Sequence, residues 1–401
     1  MVSDDFGHVF TPTKIGNLEI SNRIVRSATY TCRATLTGFV TDELISVYEG
    51  LARGGIGLTI TGMSVIREDG WQLPKMLGSY SDTHIDGLTR LAGAYHDVDN
   101  EIGNKSKIFL QLGHAGRQVF LTGYQGELIS SSPVKDHAFK KISKELTSQE
   151  IQEIAECFGE AAKRAKVAGF DGIQFHGAHG YLITQFYSPF MNKRTDEYGG
   201  STENRAKFVV KLLEECRKRV GKSFPITMKM NGSDRVPGGL EVEEAASLAR
   251  IFANAGFDAL EISSYIWDTL LYEKPKSSPP EAQVKLRKRG IEAYNLELAL
   301  KIKKALNENA ETQIPLILVG GLYRFEKIKS ILTDTNIEFC SMSRPLIRQP
   351  NLPALWRNGP PFPEAECIHC NRCTQDFMVH GIKCKGVRCI KKERDQKKQR
   401  D

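Results

Sequence analysis

Two histidines and a tyrosine lie close together in the stretch His176-Gly177-Ala178-His179-Gly180-Tyr181. Two imidazole N–H groups could hold an oxygen that gains negative charge in a transition state, and the Tyr181 phenol could then supply a proton. The His176-x-x-His179 pair could instead bind a metal, but no acidic residue or third histidine stands at an obvious ligand spacing. A third interpretation is that the histidines only bond to the backbone. Three polar groups in one short stretch favour paired donors beside a proton donor.

Further candidate residues follow other apolar runs of the chain. Lys229, at the end of a predicted strand, either faces a negative ligand or acts as a Schiff-base nucleophile, because a buried lysine without such a role would be costly. Gly320-Gly321 before a predicted helix, together with Arg344, suits a phosphate site. Glycine pairs also occur in ordinary turns, so the pair alone is weak evidence.

Eight apolar runs must position these residues, and they alternate with helical patterns. The runs are strand-sized and cover residues 24–25, 57–61, 108–112, 172–175, 225–230, 259–262, 315–319 and 339–342. One helix is marked by the capping box Thr147-x-x-Glu150, and a helix-to-strand junction, AGFDGIQ at 168–174, recurs as AGFDALE at 255–261. No G-x-G-x-x-G follows the first strand, which argues against a doubly wound dinucleotide-binding sheet. We predict an α/β fold, a single TIM (β/α)8 barrel, with its active site at the carboxyl ends of the strands.

Composition and charge restrict the function further. The chain has 401 residues, of which 40% are hydrophobic and 26% charged, so disorder is excluded as the dominant state. The sequence contains neither the basic start of a secretory signal nor an apolar run long enough to span a membrane. Of the formal net charge of +7, most lies in residues 383–401, which we expect to form a solvated tail. This distribution argues against a nucleic-acid-binding face on the barrel.

The cysteines divide into scattered ones and a C-terminal cluster. Nine cysteines are too few for a disulfide scaffold in a chain of this length, and this predicts a cytoplasmic protein. Cys367-x-x-Cys370-x-x-Cys373, followed by Cys384, has a spacing that suits a metal, and four thiolates could hold zinc. The alternative is a set of free thiols, and Cys389 is a spare or alternative fourth ligand. Prolines break the pattern after about residue 350, so we expect a barrel at 8–355 and a Cys-rich segment with a basic tail at 356–401.

Three motifs in this chain resemble one family. The stretch FDGIQFHGAHGYLITQFYSPFMNKRTDEYGGSTENR at 170–205 resembles the signature of the Old Yellow Enzyme family of FMN-dependent oxidoreductases. FLQLGHAGR at 109–117 resembles the family's third-strand motif, and TKIGN at 13–17 with NRIV at 22–25 resembles its first-strand region. The resemblance covers roughly residues 8 to 355. It implies a TIM barrel that binds FMN and is reduced by NADH or NADPH.

The resemblance also implies roles for individual positions. Lys229 stands where the family often has an arginine near the flavin N1 and O2, and Gln111 would bond to the flavin pyrimidine. Gly62 would lie against the isoalloxazine, and Ser343-Arg344 corresponds to a Gly-Arg phosphate contact. The full set of expected cofactor residues is Ser27, Ala28, Thr29, Tyr30, Gly62, Gln111, Lys229, Gly320, Gly321, Ser343 and Arg344. Tyr30 stands where some members have a redox-tuning cysteine.

The implied reaction is a ping-pong reduction of an activated C=C bond, such as that of an α,β-unsaturated carbonyl. NAD(P)H reduces FMN and leaves, and the alkene then takes hydride from N5 at its β-carbon. His176 and His179 would anchor the substrate carbonyl or nitro oxygen, and Tyr181 would protonate the α-carbon. The implied partner is therefore a small-molecule substrate.

Two alternatives to the ene-reductase interpretation stay open. Larger relatives such as 2,4-dienoyl-CoA reductase hold a [4Fe–4S] cluster at a place similar to Cys367, Cys370, Cys373 and Cys384. The chain could therefore be an iron–sulfur flavoprotein that transfers electrons with a partner, or a flavin-binding protein without catalysis. The sequence names neither the physiological substrate nor the preferred nicotinamide, and it leaves open whether the chain forms a homo-oligomer.

Overall fold

Eight parallel strands close into a barrel in the computed structural model, which describes residues 5–119, 126–136, 140–269, 286–309, 311–373 and 383–398. Neighbouring strands pair in chain order, and the barrel closes because the last strand pairs with the first. The strands are β1 Ile24–Arg26, β2 Leu58–Ile60, β3 Lys107–Gly113, β4 Gly172–Gly177, β5 Ile226–Asn231, β6 Ala259–Ser263, β7 Leu316–Val319 and β8 Phe339–Met342. All eight predicted strands, and with them the TIM (β/α)8 fold, are confirmed.

Helices connect each strand to the next. They are α1 Asp42–Ala52, α2 Ile85–Ile102, α3 Ser148–Val167, α4 Thr202–Val220, α5 Val242–Ala255, α6 Leu296–Asn309 and α7 Phe325–Asp334, with shorter helices at Leu182–Tyr187, Arg344–Arg348, Leu352–Arg357 and Ile390–Lys398. The predicted capping box is present, since Thr147 and Glu150 each bond to the other's backbone at the start of α3. In the described ranges, no helix combines the length and apolarity needed to cross a membrane.

The barrel strands alternate between two environments, as successive side chains of a strand must. Outward residues such as Leu110 and Phe175 pack in the large cluster that the helices share. Inward residues at the amino ends, such as Val25 and Phe109, form a second apolar cluster together with Ile15 of the hairpin that Thr13–Ile15 and Leu18–Ile20 form. Nearer the carboxyl ends, buried positions become polar: Gln111, Gln174, Lys229, Glu261 and Ser341. The barrel interior is therefore apolar at the amino ends of the strands and polar toward their carboxyl ends.

The C-terminal segment packs against the barrel. The Phe362 ring stacks on Phe325 of α7, with ring centroids 3.8 Å apart. The sequence predicts a solvated tail, but helix Ile390–Lys398 contacts the helix Arg344–Arg348. Lys392 Nζ lies 3.0 Å from the Arg348 carbonyl oxygen, and the Arg348 guanidinium lies 3.4 Å from Asp395. One hydrogen bond and one ion pair with Arg348 thus hold the described part of the tail in place.

Candidate active site

A buried polar network joins side chains that lie in or directly after five barrel strands. Glu261 of β6 is fully buried and accepts from Ser27 Oγ at 2.7 Å, Ser341 Oγ at 3.0 Å and Gln174 Nε2 at 3.0 Å. Gln111 Nε2 in turn donates to Gln174 Oε1 at 2.8 Å. None of these five side chains has a buried polar atom left without a hydrogen-bond partner, and this permits so much polarity inside a barrel.

Lys229 joins this network at the floor of a cleft. Its Nζ donates to Ser27 Oγ at 2.6 Å and lies 3.2 Å from Glu261 Oε1. The lysine is 3% exposed, and the carboxylate offsets the cost of burying its charge. Glu261 and Gln174 were not among the predicted site residues. Their signal in the sequence is that each is a polar residue at an inward position of a buried strand.

The cleft above Lys229 has a volume of about 830 Å³ and is open to solvent. It gathers many of the residues predicted to bind the cofactor, although they come from opposite ends of the sequence. Those that line it are Ser27, Ala28, Lys229, Gly320, Gly321, Ser343 and Arg344. His179 also lines the cleft. A site that can hold a large polar ligand therefore exists where the sequence predicts it.

The shape of the cleft at its glycine pair suits a phosphorylated cofactor. Gly320 has a φ of +130° and Gly321 a φ of +73°, which residues with side chains rarely adopt. A Cβ at Gly320 would lie 2.8 Å from Asn295 Nδ2, so a side chain has no room. With Arg344 as a cation at the same end and Lys229 at the other, the residues present fit FMN, whose phosphate and pyrimidine ring both attract positive charge.

The remaining predicted cofactor residues lie outside this cleft. Thr29 and Tyr30 line a second cavity, between the loop after β1 and the helix Ile390–Lys398. The Gly62 N–H donates to Tyr48 Oη at 2.9 Å, and a Cβ at Gly62 would lie 2.8 Å from the Thr29 carbonyl oxygen. Gly62 thus lets the loop after β1 approach β2. Among the described contacts, Gln111 joins the buried network through Gln174, and flavin contact by all of the predicted cofactor residues stays a prediction.

The predicted catalytic trio comes together after β4. The His176 and Tyr181 rings lie 4.6 Å apart between centroids, the two histidine rings 5.2 Å, and the His179 and Tyr181 rings 6.5 Å. His179 adopts a left-handed backbone with φ of +64°, a strained conformation that costs about 1–2 kcal/mol. The Asn231 side chain stabilises that turn by accepting the His179 N–H at 3.2 Å. The short turn therefore brings all three side chains to one strand end.

Both histidines are neutral in this setting. Burial lowers the pKa of His179 to about 3, and the nearby Lys229 charge adds to the effect. Burial also lowers the pKa of His176 well below its usual value, with smaller contributions from His179 and Lys229. His179 Nε2 lies 2.8 Å from Ser263 Oγ, whereas His176 Nδ1 is buried without a hydrogen-bond partner among the described residues. His176 thus has an unused polar atom for a ligand.

Tyr181 is held as a protonated phenol by its surroundings. Burial raises its pKa, while hydrogen bonds from Trp267 and Gln72 act in the opposite direction. Trp267 Nε1 lies 3.4 Å from the Tyr181 oxygen. Neither Trp267 nor Gln72 was predicted as a site residue, because each is distant in sequence and belongs to no recognisable motif. A buried phenol whose conjugate base is hydrogen-bonded is suited to giving up its proton.

Four C-terminal cysteines lie around one cavity, but one of them differs from the predicted set. Cys367, Cys370 and Cys373 line a cavity of about 380 Å³, and the fourth cysteine there is Cys389. Cys384 lies elsewhere, where its carbonyl oxygen accepts from Lys75 Nζ at 3.0 Å. Among the described residues, no three His, Cys, Asp or Glu side chains are arranged to hold a metal ion. Metal binding by Cys367, Cys370, Cys373 and Cys384 thus stays a prediction that the geometry does not support.

The fold is a parallel (β/α)8 barrel, and a cationic cleft and a histidine–tyrosine cluster lie at its strand ends. These features are typical of the class of barrel enzymes that use a cofactor. The sequence matches the NADH:flavin oxidoreductase / NADH oxidase family over residues 8–360. The chain belongs to this family, and the resemblance to Old Yellow Enzyme is confirmed. FMN is therefore the cofactor of its family.

Individual relatives place the chain within this family. It is 35% identical over 368 residues to an NADH oxidase of Thermoanaerobacter brockii, covering 91% of this chain and 53% of that protein. It is 33% identical to an NADPH dehydrogenase of Clostridium acetobutylicum, covering 85% of this chain and 92% of that protein. A 2-naphthoyl-CoA reductase structure superimposes with a TM-score of 0.82 and 25% identity, covering 95% of this chain and 56% of the other. The chain thus spans about half the length of some relatives and nearly all of another.

Proposed function

We propose that this protein is an FMN-dependent oxidoreductase that uses NAD(P)H to reduce an activated C=C bond. The observation that carries the proposal is the meeting of His176, His179 and Tyr181 at the end of β4, with His179 lining the cleft that contains Lys229. When bound, FMN would supply the hydride chemistry, accepting hydride from NAD(P)H and passing it to the substrate β-carbon.

The two histidines would bind and polarise the substrate oxygen. As neutral imidazoles they donate N–H groups without releasing a proton, so they stabilise charge that develops on a carbonyl or nitro oxygen. The unpartnered Nδ1 of His176 supports this role, because a buried polar atom without a partner is costly unless a ligand uses it. Tyr181 would hold the proton that the α-carbon receives.

Lys229 would place positive charge at the flavin pyrimidine. Its Nζ is held by Ser27 and Glu261, so its position is set before any ligand arrives. A preorganised cation of this kind stabilises negative charge without the cost of reorienting solvent. Gly320, Gly321 and Arg344 would bind the phosphate at the other end of the cleft.

The test is a pair of half-reactions with purified holoprotein. The flavin absorbance should bleach on anaerobic addition of NADH or NADPH and return on addition of an enone such as cyclohexenone. Bleaching without recovery across a panel of enones and nitroalkenes would contradict ene reduction. A protein that carries FMN but does not bleach would be a flavin-binding protein without this activity. Comparing the two nicotinamides answers a question on which the relatives differ, since one is named for NADH and the other for NADPH.

A cytoplasmic location and a small-molecule substrate belong to the same proposal. All nine cysteines are free thiols, which supports a reducing compartment. The family acts on small molecules, and the open cleft supports this for the present chain. Formation of a homo-oligomer stays a prediction.

A second candidate function, iron–sulfur electron transfer, rests on the four cysteines that line one cavity, although no three described side chains are already arranged as metal ligands. Cys367, Cys370, Cys373 and Cys389 share that cavity with the cations of Arg344 and Arg348, which would offset the charge of thiolates. Anaerobic reconstitution with iron and sulfide, followed by metal and sulfide analysis, tests this function. Loss of the bound iron in Cys389→Ser but not in Cys384→Ser is the result expected from the geometry. The opposite result would favour the spacing predicted from sequence.

A further inference from the structure

His369 lines both the cavity that contains Cys367, Cys370, Cys373 and Cys389 and the cleft above Lys229 in which we propose that FMN binds. It stands between Cys367 and Cys370 in the sequence, and its backbone N–H bonds to the Cys367 sulfur. Its side chain lines the cleft that contains Gly320, Gly321 and Arg344. The residue adopts a left-handed backbone with φ of +53°, as does Asn371 with φ of +56°. One residue of the C-terminal segment therefore reaches the end of the cleft where a phosphate would lie.

The imidazole of His369 has an unused polar atom in that position. The side chain is 1% exposed, and its Nδ1 is buried without a hydrogen-bond partner among the described residues. Leaving such an atom unsatisfied costs about 1–3 kcal/mol, so the arrangement favours a ligand that completes it. The only described ring contact of His369 is with Tyr323, at 5.2 Å between centroids and 57° between the ring planes.

The surroundings of His369 select an anion. The charges that act on its buried ring are the guanidinium groups of Arg344 and, more weakly, Arg287, which is itself paired with Glu364. Arg344 also donates from Nη1 to Oδ1 of Asn371, a second residue of the C-terminal segment that lines the cleft. Asn371 thus orients the guanidinium while His369 stands beside it. A guanidinium, an imidazole nitrogen without a described partner and the Gly320-Gly321 pair together form an environment that suits a phosphate.

We propose that His369 donates a hydrogen bond to the phosphate of FMN, so that the C-terminal cysteine segment forms part of the cofactor site. This inference rests on the proposed function, since it needs FMN in the cleft. It also means that the division between a barrel at 8–355 and a segment at 356–401 passes through the binding site.

The test compares two ligands that differ only in the phosphate. Apoprotein is titrated with FMN and with riboflavin, and binding is followed by quenching of flavin fluorescence. His369→Phe keeps a ring that can pack on Tyr323 but removes the N–H. Because a hydrogen bond to a charged group contributes about 1.5–3 kcal/mol, FMN affinity should fall about tenfold to a hundredfold. Riboflavin affinity should stay within about twofold, since a lost phosphate contact cannot affect it.

Controls separate this role from a structural one. Ile368→Ala, at a side chain that is 40% exposed in the same segment, should leave both affinities unchanged. Equal weakening of FMN and riboflavin in His369→Phe would show that the ring only supports the fold and would overturn the inference. Unchanged FMN affinity would also overturn it. Failure of the wild-type protein to bind either flavin would instead contradict the proposed function, so the two failures are distinguishable.

Discussion

Lys229 and Glu261 occupy paired register positions on β5 and β6, with Nζ of the lysine 3.2 Å from Oε1 of the glutamate. Both side chains are almost fully buried inside the barrel. The pair places a cation at the floor of the cleft and at the same time offsets its charge. Because the two strands are parallel neighbours, their register places these two side chains next to each other.

Breaking this pair from one side should destabilise the protein strongly. Glu261→Gln leaves Lys229 as a buried charge without its carboxylate, and Lys229→Met leaves the carboxylate without its cation. Each should lower the free energy of unfolding by about 3–5 kcal/mol. The double variant should lose less than the sum of the two, because no unpaired charge remains. Chemical denaturation of the four proteins measures this coupling.

Glu261→Gln should also raise the midpoint potential of the bound flavin. Glu261→Gln removes a negative charge near the predicted flavin pyrimidine, so the reduced, anionic flavin is stabilised and the midpoint potential rises. Potentiometric titration of the holoprotein measures it, with Glu308→Gln on the exposed surface of α6 as the matched control. An unchanged potential in Glu261→Gln would place Lys229 away from the flavin.

Tyr181→Phe should separate the two half-reactions. Loss of a general acid costs about 10²–10⁴-fold in rate, and this loss should fall on alkene reduction alone. Flavin reduction by NAD(P)H needs no proton from Tyr181 and should proceed at the wild-type rate. Stopped-flow measurement of each half-reaction distinguishes them, with the buried Tyr95→Phe as the control. Equal slowing of both half-reactions would rule out the proton-donor role.

Stability should fall as the solution is acidified. The folded protein holds His179 with a pKa of about 3 against a usual 6.5, so the unfolded state binds more protons between these values. The stabilisation is therefore complete above about pH 6.5 and is lost as the pH falls toward 3. At about pH 5 the loss from His179 alone is about 2 kcal/mol. Thermal unfolding across this range measures it, and His179→Asn should flatten the profile.

A buried ion cluster after β3 should contribute more to the free energy of unfolding than an exposed ion pair does. The Arg117 guanidinium is fully buried, 2.9 Å from Asp268 and 3.4 Å from Asp136. Arg117→Met leaves two buried carboxylates without their cation and should lower the free energy of unfolding by about 3–5 kcal/mol. Arg90→Met removes an exposed pair with Asp42 and should cost less than about 1 kcal/mol. Similar losses in both variants would contradict this assignment.

The strands and the grouping of His176, His179 and Tyr181 could be predicted from the sequence, because each depends on residues that are neighbours in the chain. The barrel followed from eight such strands alternating with helices. A buried parallel strand needs a continuous apolar run, and the His176-x-x-His179-x-Tyr181 spacing places three groups at one strand end. The family motifs added the cofactor. These local features do not depend on which distant segments of the chain contact one another.

Tertiary structure alone decided which distant residues meet. Ser27 and Glu261 are 234 positions apart and bond only because the barrel closes on itself. Spacing favoured Cys384 as the fourth cysteine, whereas the path of the chain brings Cys389 to the cavity. His369 reaches the cleft above Lys229 for the same reason, because its segment packs across the strand ends. Periodicity describes a chain locally, and contacts between remote segments depend on closure and packing that no local pattern contains.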